Sequence, residues 1–263
     1  MHVVPVVVAT HASGPEAWER TVAAVAACLD RHSHASVVLR LPGAAIDHLA
    51  QEDRPLLDRL EADRVLWLAG GFSDPLVTGI GPEELRLQLD RERTAMEMAG
   101  ITPGGLWVDG EWEPGLVSVA RDAGHHLVFF FAELLAEPAP SPGPIERAGA
   151  AVVGVPVSAD RPDVGGEGLA AVMVAPDALE EFLSEHGKHV TSVTRFLSEH
   201  GPGGRLAPRL SMPVPHPSRL GFYRKLMLRA SVQPGRSPVQ DALLRLQSRE
   251  HLLDPEAGDP EPD

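Results

Sequence analysis

The sequence predicts a parallel α/β barrel, and three observations support that fold class. Short apolar runs rich in β-branched residues alternate along the chain with segments of helical periodicity. Strands that alternate with helices pair in parallel, because each right-handed crossover needs a helix on the outer face of the sheet. The chain has 263 residues, which suits one such barrel, and 43% of them are hydrophobic, which is enough for a core.

The elements follow one another regularly through the first half of the chain. The β-branched run from Val3 to Val8 predicts the first strand, and the segment from Glu16 to Arg31 has helical periodicity after Pro15. Further predicted elements are a strand at 37–41, a helix at 53–62, a strand at 65–68, a helix at 82–99, a strand ending at 108 and a buried apolar run at 127–131. The helix at 82–99 has a charged face, predicted to be solvated and to form ion pairs one turn apart, made of Glu83, Glu84, Arg86, Asp90, Arg91, Glu92 and Arg93.

A proline-rich segment at 137–144 interrupts this order. Proline is excluded from helix interiors and central strands, so the segment is predicted to be a surface loop over the barrel. Strands resume at 151–157 and 169–174. The segment at 178–199 predicts one long helix or two stacked pieces, in which two copies of the motif Phe-Leu-Ser-Glu-His-Gly would show the same face.

The predicted organisation has three parts. The barrel covers residues 1–215, and a helical segment follows over 216–254. The last residues, 255–263, form an acidic, proline-rich tail. Such a composition buries too little apolar surface to offset the entropy of folding, so we expect this tail to be disordered.

Composition and charge exclude several classes of function. The net charge of −14 and the pI near 5.3 argue against binding to nucleic acid or anionic membranes, which attract basic surfaces. The single cysteine, Cys28, forms no disulfide within the chain and is predicted to be a buried thiol in a reducing compartment. No signal peptide pattern precedes His11 and no run reaches about 18 apolar residues, which predicts a cytoplasmic protein.

The sequence predicts neither a metal site nor a cofactor. The twelve histidines form no His-x-x-x-His pair, and no Cys-x-x-Cys pair is present. The glycine-rich segment at 165–168 lacks the lysine and the following hydroxyl residue of a phosphate-binding loop.

Three carboxylates follow the strand that ends at Val108. Asp109, Glu111 and Glu113 occupy alternate positions, so they would point the same way if the backbone is extended. Like charges in one place raise one another's pKa values, which a solvated surface tolerates and a core does not. The segment is therefore either a solvent-exposed rim or the carboxylate mouth of an active site. Two tryptophans that look exposed, Trp107 and Trp112, flank the acids and would either stack on a sugar or pack into the core.

Two motifs at the ends of predicted strands resemble those of one enzyme family. The segment Gly71-Phe72-Ser73-Asp74-Pro75 follows one strand, and Gly105-Leu106-Trp107-Val108 leads into the acidic segment and then into 116–124. The order and spacing over about residues 3–135 are similar to glycoside hydrolase family 57, the α-amylase and 4-α-glucanotransferase family. The segment at 222–231 also resembles the Lys-x-Met-Leu-x-x-Ser pattern that follows the family's barrel. The resemblance implies a seven-stranded barrel and a helix at 116–124.

The resemblance also implies the position of the site. The nucleophile position falls on Asp109 or Gly110, with Glu111 one step later, because the segment is one residue shorter than the family pattern. The second carboxylate corresponds to Asp177, which follows Pro176 and alternatively caps the next helix. The implied substrate-binding positions are His11, Asp74, Trp107, Trp112 and Glu113.

The expected function follows from these motifs. A retaining glycosidase needs two carboxyl groups about 5 Å apart, one as nucleophile and one as acid and then base. No family motif is intact here, so we expect a divergent carbohydrate-active protein that recognises α-1,4-glucan with weak or no hydrolysis. Two alternatives stay open. One is an active retaining α-glucan hydrolase or 4-α-glucanotransferase, and the other is a non-catalytic scaffold that binds proteins through its acidic rim.

Overall fold

The computed structural model describes residues 2–10, 13–60, 63–73, 82–108, 112, 115–137, 139, 141–159 and 168–208. The strands are β1 (His2–Val8), β2 (Val37–Arg40), β3 (Val65–Ala69), β4 (Gly105–Val108), β5 (Leu127–Phe131), β6 (Gly143–Arg147), β7 (Ala150–Ser158) and β8 (Leu169–Met173). The helices are α1 (Pro15–Arg31), α2 (Gly43–Glu52), α3 (Arg54–Asp58), α4 (Pro82–Met98), α5 (Leu116–Asp122), α6 (Leu179–His186) and α7 (Val193–His200). The predicted C-terminal helical segment and tail lie outside the described residues.

Seven parallel strands close into a barrel. Going round the barrel, the order is β1, β2, β3, β4, β5, β7 and β8, and β8 pairs with β1 again. All seven pairings are parallel, with helices α1 to α5 in the crossover connections. The predicted parallel barrel and its strand number are therefore confirmed. Within the described ranges, no helix is long and apolar enough to cross a bilayer.

Alternate residues of each strand face the barrel interior or the helices outside. The interior is filled by apolar side chains, including Val4, Val6, Val38, Leu68, Trp107, Phe129, Val155 and Ala171. The outward residues pack against the helices in two clusters. One joins β1, β2 and β3 to α1 and α2, and the other joins β4 and β5 to α4 and α5. Cys28 lies in the first cluster as a buried free thiol, as predicted, and burial raises its pKa.

The proline-rich segment ends in a strand that the sequence did not predict. β6 runs antiparallel to β7 through the tight turn at Ala148 and Gly149, which have φ of 49° and 82°. Both residues therefore adopt the left-handed region, the conformation that two-residue hairpin turns of type I′ need. The predicted surface loop is thus shorter than 137–144, since β6 already begins at Gly143 and includes Pro144. Proline is tolerated there because β6 lies at a sheet edge.

The predicted helix at 53–62 is wrong in extent. The structure has α2 at 43–52 and the short α3 at 54–58. Asp53 separates them, and its carboxylate caps α3 by accepting a hydrogen bond from the Leu56 amide at 3.2 Å. Helix α2 escaped prediction because Pro42 and Gly43 at its start indicate a turn.

The two copies of the Phe-Leu-Ser-Glu-His-Gly motif do not show the same face, which corrects the prediction. They belong to separate helices, and in each the phenylalanine contacts the histidine four residues later. The ring centroids are 4.8 Å apart and tilted in α6, and 4.6 Å apart and stacked in α7. Phe182 of α6 packs into the outer cluster beside α1. Phe196 of α7 packs into the barrel interior near His2, so α7 closes the N-terminal end of the barrel.

Candidate functional site

The C-terminal ends of the parallel strands meet at one end of the barrel. The predicted site positions follow β1, β3, β4 and β8, and these strands lie within one run of neighbours, β8-β1-β2-β3-β4. Active sites of α/β barrels are built at this end from the loops after the strands. His11, Asp74, Asp109, Glu111 and Glu113 lie outside the described residues. Their convergence on a single cleft therefore stays a prediction.

Asp177 is exposed and lies in a short 3-10 turn, Pro176–Ala178, between β8 and α6. This turn packs against α1. The N-cap residue of α6 is Ala178, and no side chain caps that helix. The interpretation of Asp177 as a helix cap is therefore wrong, since the turn places it before the cap position.

The two tryptophans are buried, contrary to their expected exposure. Trp107 is 4% exposed and points into the barrel, where it contacts the edge of Phe131 with ring centroids 5.2 Å apart. Trp112 is 2% exposed and packs on the other side of the sheet against Phe130, also at 5.2 Å. Of the two alternatives for these rings, the structure has core packing. Their predicted sugar contacts would require the faces of both rings to become accessible.

A buried ion pair, which the sequence analysis missed, lies at the C-terminal end of the barrel. Arg40 is the last residue of β2 and points inward, and Glu92 lies on the inner face of α4. They are 1% and 0% exposed, and Arg40 Nη1 lies 3.3 Å from Glu92 Oε1. The solvated position predicted for Glu92 is therefore wrong. Other pairs on α4 are confirmed, such as Arg86 with Glu83 at 2.8 Å.

The ion pair holds residues 70–73, which we call the β3 loop. Glu92 Oε2 accepts hydrogen bonds from the amides of Gly70 and Gly71 at 2.8 and 2.6 Å. Arg40 Nη2 donates to the Gly71 carbonyl at 3.1 Å. Burial raises the pKa of the Glu92 carboxyl, and the Arg40 guanidinium and the two amides oppose that shift.

Further contacts from α4 and α2 complete the support of the β3 loop. The Ser73 amide donates to Gln88 Oε1 at 3.0 Å, and the Phe72 carbonyl accepts from the Ala44 amide of α2 at 3.0 Å. The Arg91 guanidinium lies over the Phe72 ring, 4.7 Å from its centroid. Five backbone groups of the loop are thus held by β2, α2 and α4. The loop leads directly to Asp74, the next residue in the sequence.

The segment that precedes His11 is also anchored. The Thr10 carbonyl accepts a hydrogen bond from Trp18 Nε1 of α1 at 2.9 Å, and the hydroxyls of Thr10 and Ser13 lie 3.1 Å apart. Thr10 is therefore fixed to α1 and to Ser13. Among the described residues, no group of three or more histidine, cysteine or acidic side chains could hold a metal ion.

A signal for the missed pair is present in the sequence. Arg40 interrupts the apolar strand Val37-Val38-Leu39-Arg40-Leu41. It lies two positions after the inward residue Val38, so both side chains point into the barrel. Glu92 falls between Leu89 and Met96, one helical turn from each, on the apolar face of α4. A charge of each sign at buried positions indicates an internal ion pair, because an isolated buried charge is too costly.

Comparison with solved structures shows that the chain has the fold of the glycoside hydrolase family 57 enzymes. It superposes on the 4-α-glucanotransferase from Thermococcus litoralis with a TM-score of 0.67 and 14% identity, covering 88% of this chain and 44% of that one. A family 57 branching enzyme from Thermococcus kodakaraensis, crystallised with glucose, gives 0.64 and 11%, covering 94% and 84%. The α-amylase AmyC from Thermotoga maritima gives 0.68 and 8%, covering 98% and 89%.

The resemblance predicted from the strand-end motifs is thus confirmed at the level of the fold. The chain spans less than half the length of the glucanotransferase. The sequence matches no protein-family model and no curated protein. At these identities, the structural likeness defines the fold and leaves the activity to the residues of the site.

Proposed function

We propose that the protein is a family-57-like carbohydrate-active protein that recognises α-1,4-glucan at the C-terminal end of its barrel, with weak or no hydrolysis. One observation carries this proposal. The two family-like motifs, at 71–75 and 105–108, follow or form the neighbouring strands β3 and β4 of a barrel shared with α-glucan enzymes. We also propose a cytoplasmic location, in line with the buried free thiol of Cys28.

The limited hydrolysis is proposed from the chemistry of the motifs. A retaining mechanism needs a nucleophile and an acid held in fixed geometry, and misplacement by about 1 Å can reduce the rate about 100-fold. The nucleophile segment is one residue short around Asp109 and Glu111, and Pro176 stands where the family has an acid beside Asp177. Ground-state binding tolerates looser geometry than catalysis does, so recognition of the glucan would survive these changes.

A binding and product assay tests the proposal. Calorimetric titration with maltoheptaose should show a dissociation constant of about millimolar, and the β-1,4-linked cellohexaose serves as the matched control ligand. Chromatography of the same mixtures after long incubation should show no shorter or longer glucans. Failure to bind either ligand would contradict the proposal and favour the protein-interaction scaffold.

The active enzyme is a second candidate, favoured by one observation. Asp177 is exposed and is not engaged as a helix cap, so its carboxyl group is accessible for proton transfer. If Asp177 acts with Glu111 or Asp109, maltoheptaose should be cleaved or disproportionated, and Asp177→Asn should abolish the products. Glu181→Gln, a change on the first turn of α6 nearby, is the control and should leave product formation unchanged.

A further inference from the structure

The β3 loop is held by hydrogen bonds from three different elements, through the side chains of β2 and α4 and a backbone amide of α2. Arg40 comes from β2 inside the barrel, Ala44 from α2, and Gln88 and Glu92 from α4. Five backbone groups of the four loop residues are thus hydrogen-bonded, although the loop belongs to no helix or strand. Loops at the surface usually satisfy such groups with water. Here the partners are the buried side chains of Arg40, Gln88 and Glu92 and the backbone amide of Ala44, which fix the backbone in one conformation.

The loop and its supports fit without spare room. A side-chain carbon at Gly70 would collide with the Arg40 guanidinium. A carbon at Gly43 would lie 2.8 Å from the Phe72 ring and 3.0 Å from Glu92 Cα. Gly71 has φ of 107°, a conformation that glycine adopts without strain. The glycines thus allow the helices and the loop to approach closely around the ion pair.

Stability alone does not account for the ion pair. Two charges removed from water gain from their mutual attraction about what they lose in hydration, and apolar replacements of such pairs are often neutral. The N-terminal end of the same barrel is closed by the apolar side chains of Val193 and Phe196. The Arg40 and Glu92 pair therefore has a role besides filling the barrel.

We propose that Arg40 and Glu92 are positioning residues, which fix the β3 loop and through it the candidate substrate-binding residue Asp74. The role of Asp74 rests on the proposed function, whereas the ordering of the loop does not. Glu92 binds the amides of Gly70 and Gly71, and Arg40 holds both Glu92 and the Gly71 carbonyl. Neither charged group needs to touch the ligand.

The test uses the double variant Arg40→Met/Glu92→Leu, which removes both charges together and so leaves no unpaired charge in the core. Hydrogen exchange is followed by mass spectrometry on peptides that cover residues 69–73. We expect the amides of Gly70 and Gly71 to exchange about tenfold faster or more, because each loses its acceptor. Phe196→Leu, at the opposite end of the barrel, is the control and should leave this exchange within about twofold.

Binding of maltoheptaose is measured on the same variants. We expect the double variant to bind about tenfold more weakly or worse, and Phe196→Leu to bind like the wild type. Asp74→Ala should weaken binding in the wild type and have little further effect in the double variant, since a misplaced Asp74 has already lost its contact. A role in stability alone would leave binding unchanged in a folded double variant.

The outcomes separate the two proposals. Unchanged exchange of the β3 loop in the folded double variant would overturn the positioning role. Faster exchange with unchanged glucan binding would overturn the link to Asp74. If the wild type itself binds no glucan, the proposed function fails, and the exchange of residues 69–73 still decides whether the ion pair orders the loop.

Discussion

The two ends of this barrel are closed by different chemistry. At the N-terminal end, α7 covers the interior with the apolar side chains of Val193 and Phe196. At the C-terminal end, β2 ends in the buried Arg40, which is balanced by Glu92. Four of the six buried polar side chains in the described ranges surround the β3 loop: Arg40, Ser73, Gln88 and Glu92. The polar interior is therefore concentrated at the end where barrels carry their sites.

The two kinds of closure differ in how precisely they fix the backbone. An apolar cover, as at the N-terminal end, fills the barrel without directional bonds. Buried charges and amides add directionality, because each hydrogen bond fixes a distance and an angle. A loop held by such bonds keeps its backbone in one conformation. The comparison can be tested by changing one end at a time.

The largest effect is expected at the C-terminal end from Glu92→Leu alone. This change leaves the Arg40 charge buried without its carboxylate, and breaking such a pair typically costs about 3–5 kcal/mol. The free energy of unfolding, measured in urea, should fall by about that amount. Arg40→Met/Glu92→Leu should recover the part of the loss that comes from the unpaired charge, while the amides of Gly70 and Gly71 still lack their acceptor. A single variant as stable as the wild type would mean that the ion pair is not the main partner of the Arg40 charge.

A buried imidazole makes the second prediction, at the start of β5. His125 is 8% exposed, and burial, aided by the nearby His126, lowers its pKa to about 4. The unfolded chain binds a proton near pH 6.5 and the folded chain only near pH 4, so stability falls as the pH decreases between these values. The loss should reach about 3 kcal/mol at pH 4.

His125→Gln should remove this part of the pH dependence. The free energy of unfolding is measured for variant and wild type at pH 7 and at pH 4, and the difference between the two proteins is compared at the two pH values. Carboxylates titrate equally in both proteins, so their contribution cancels. His34→Gln, a change of an exposed histidine in the turn after α1, is the matched control. Equal pH dependence of stability in His125→Gln and wild type would show that folding does not lower the pKa of His125.

A smaller effect is expected from Phe196→Leu at the N-terminal end. The phenylalanine is 5% exposed and stacks on His200, and the shorter side chain loses part of that packing. The cost should be about 1 kcal/mol, because leucine still fills most of the space. Glucan binding should be unchanged. A loss of binding equal to that of the β3 loop variants would remove the distinction between the two ends.

The smallest effect concerns the acidic segment after β4. If Asp109, Glu111 and Glu113 are crowded, Glu111→Gln relieves their repulsion. The free energy of unfolding should rise by up to about 0.5 kcal/mol, and the melting temperature should rise slightly with it. Glu133→Gln, at an exposed position after β5, is the control and should have no such effect. A clear decrease in melting temperature for Glu111→Gln would indicate that this acid accepts structural hydrogen bonds.

The sequence predicted those parts of the fold that depend on local pattern. β-Branched runs marked β1 and β2, and helical periodicity marked α1 and α4 close to their observed bounds. Helix α2 was missed because its start looks like a turn, and β6 because its prolines argue against a strand. In both cases tertiary packing outweighed the local preference.

The candidate site residues were predicted from motifs at the ends of strands, and no residue outside those motifs was proposed. The two family-like motifs lie at β3 and β4, which are neighbouring parallel strands of the barrel. The pairing of Arg40 with Glu92 could not be read from local pattern, because the two residues lie on different elements that only the closed barrel brings together. The burial of Trp107 and Trp112 was missed for the same reason. Each ring is covered by residues of other elements, Trp107 inside the barrel and Trp112 in the cluster outside it.

The pairing of β1 with β8 has a consequence for how the chain folds. His2 lies opposite Leu169, so the first strand must wait for nearly the whole barrel to be synthesised before its second partner exists. Until then, β1 presents an open, valine-rich edge on which another chain could add a strand. On that edge, the His2 amide donates to the Gly168 carbonyl and the Val6 carbonyl accepts from the Val174 amide once β8 is in place. These backbone groups thus stay without a partner, and able to pair with another chain, during the slow closure of a fold with distant contacts.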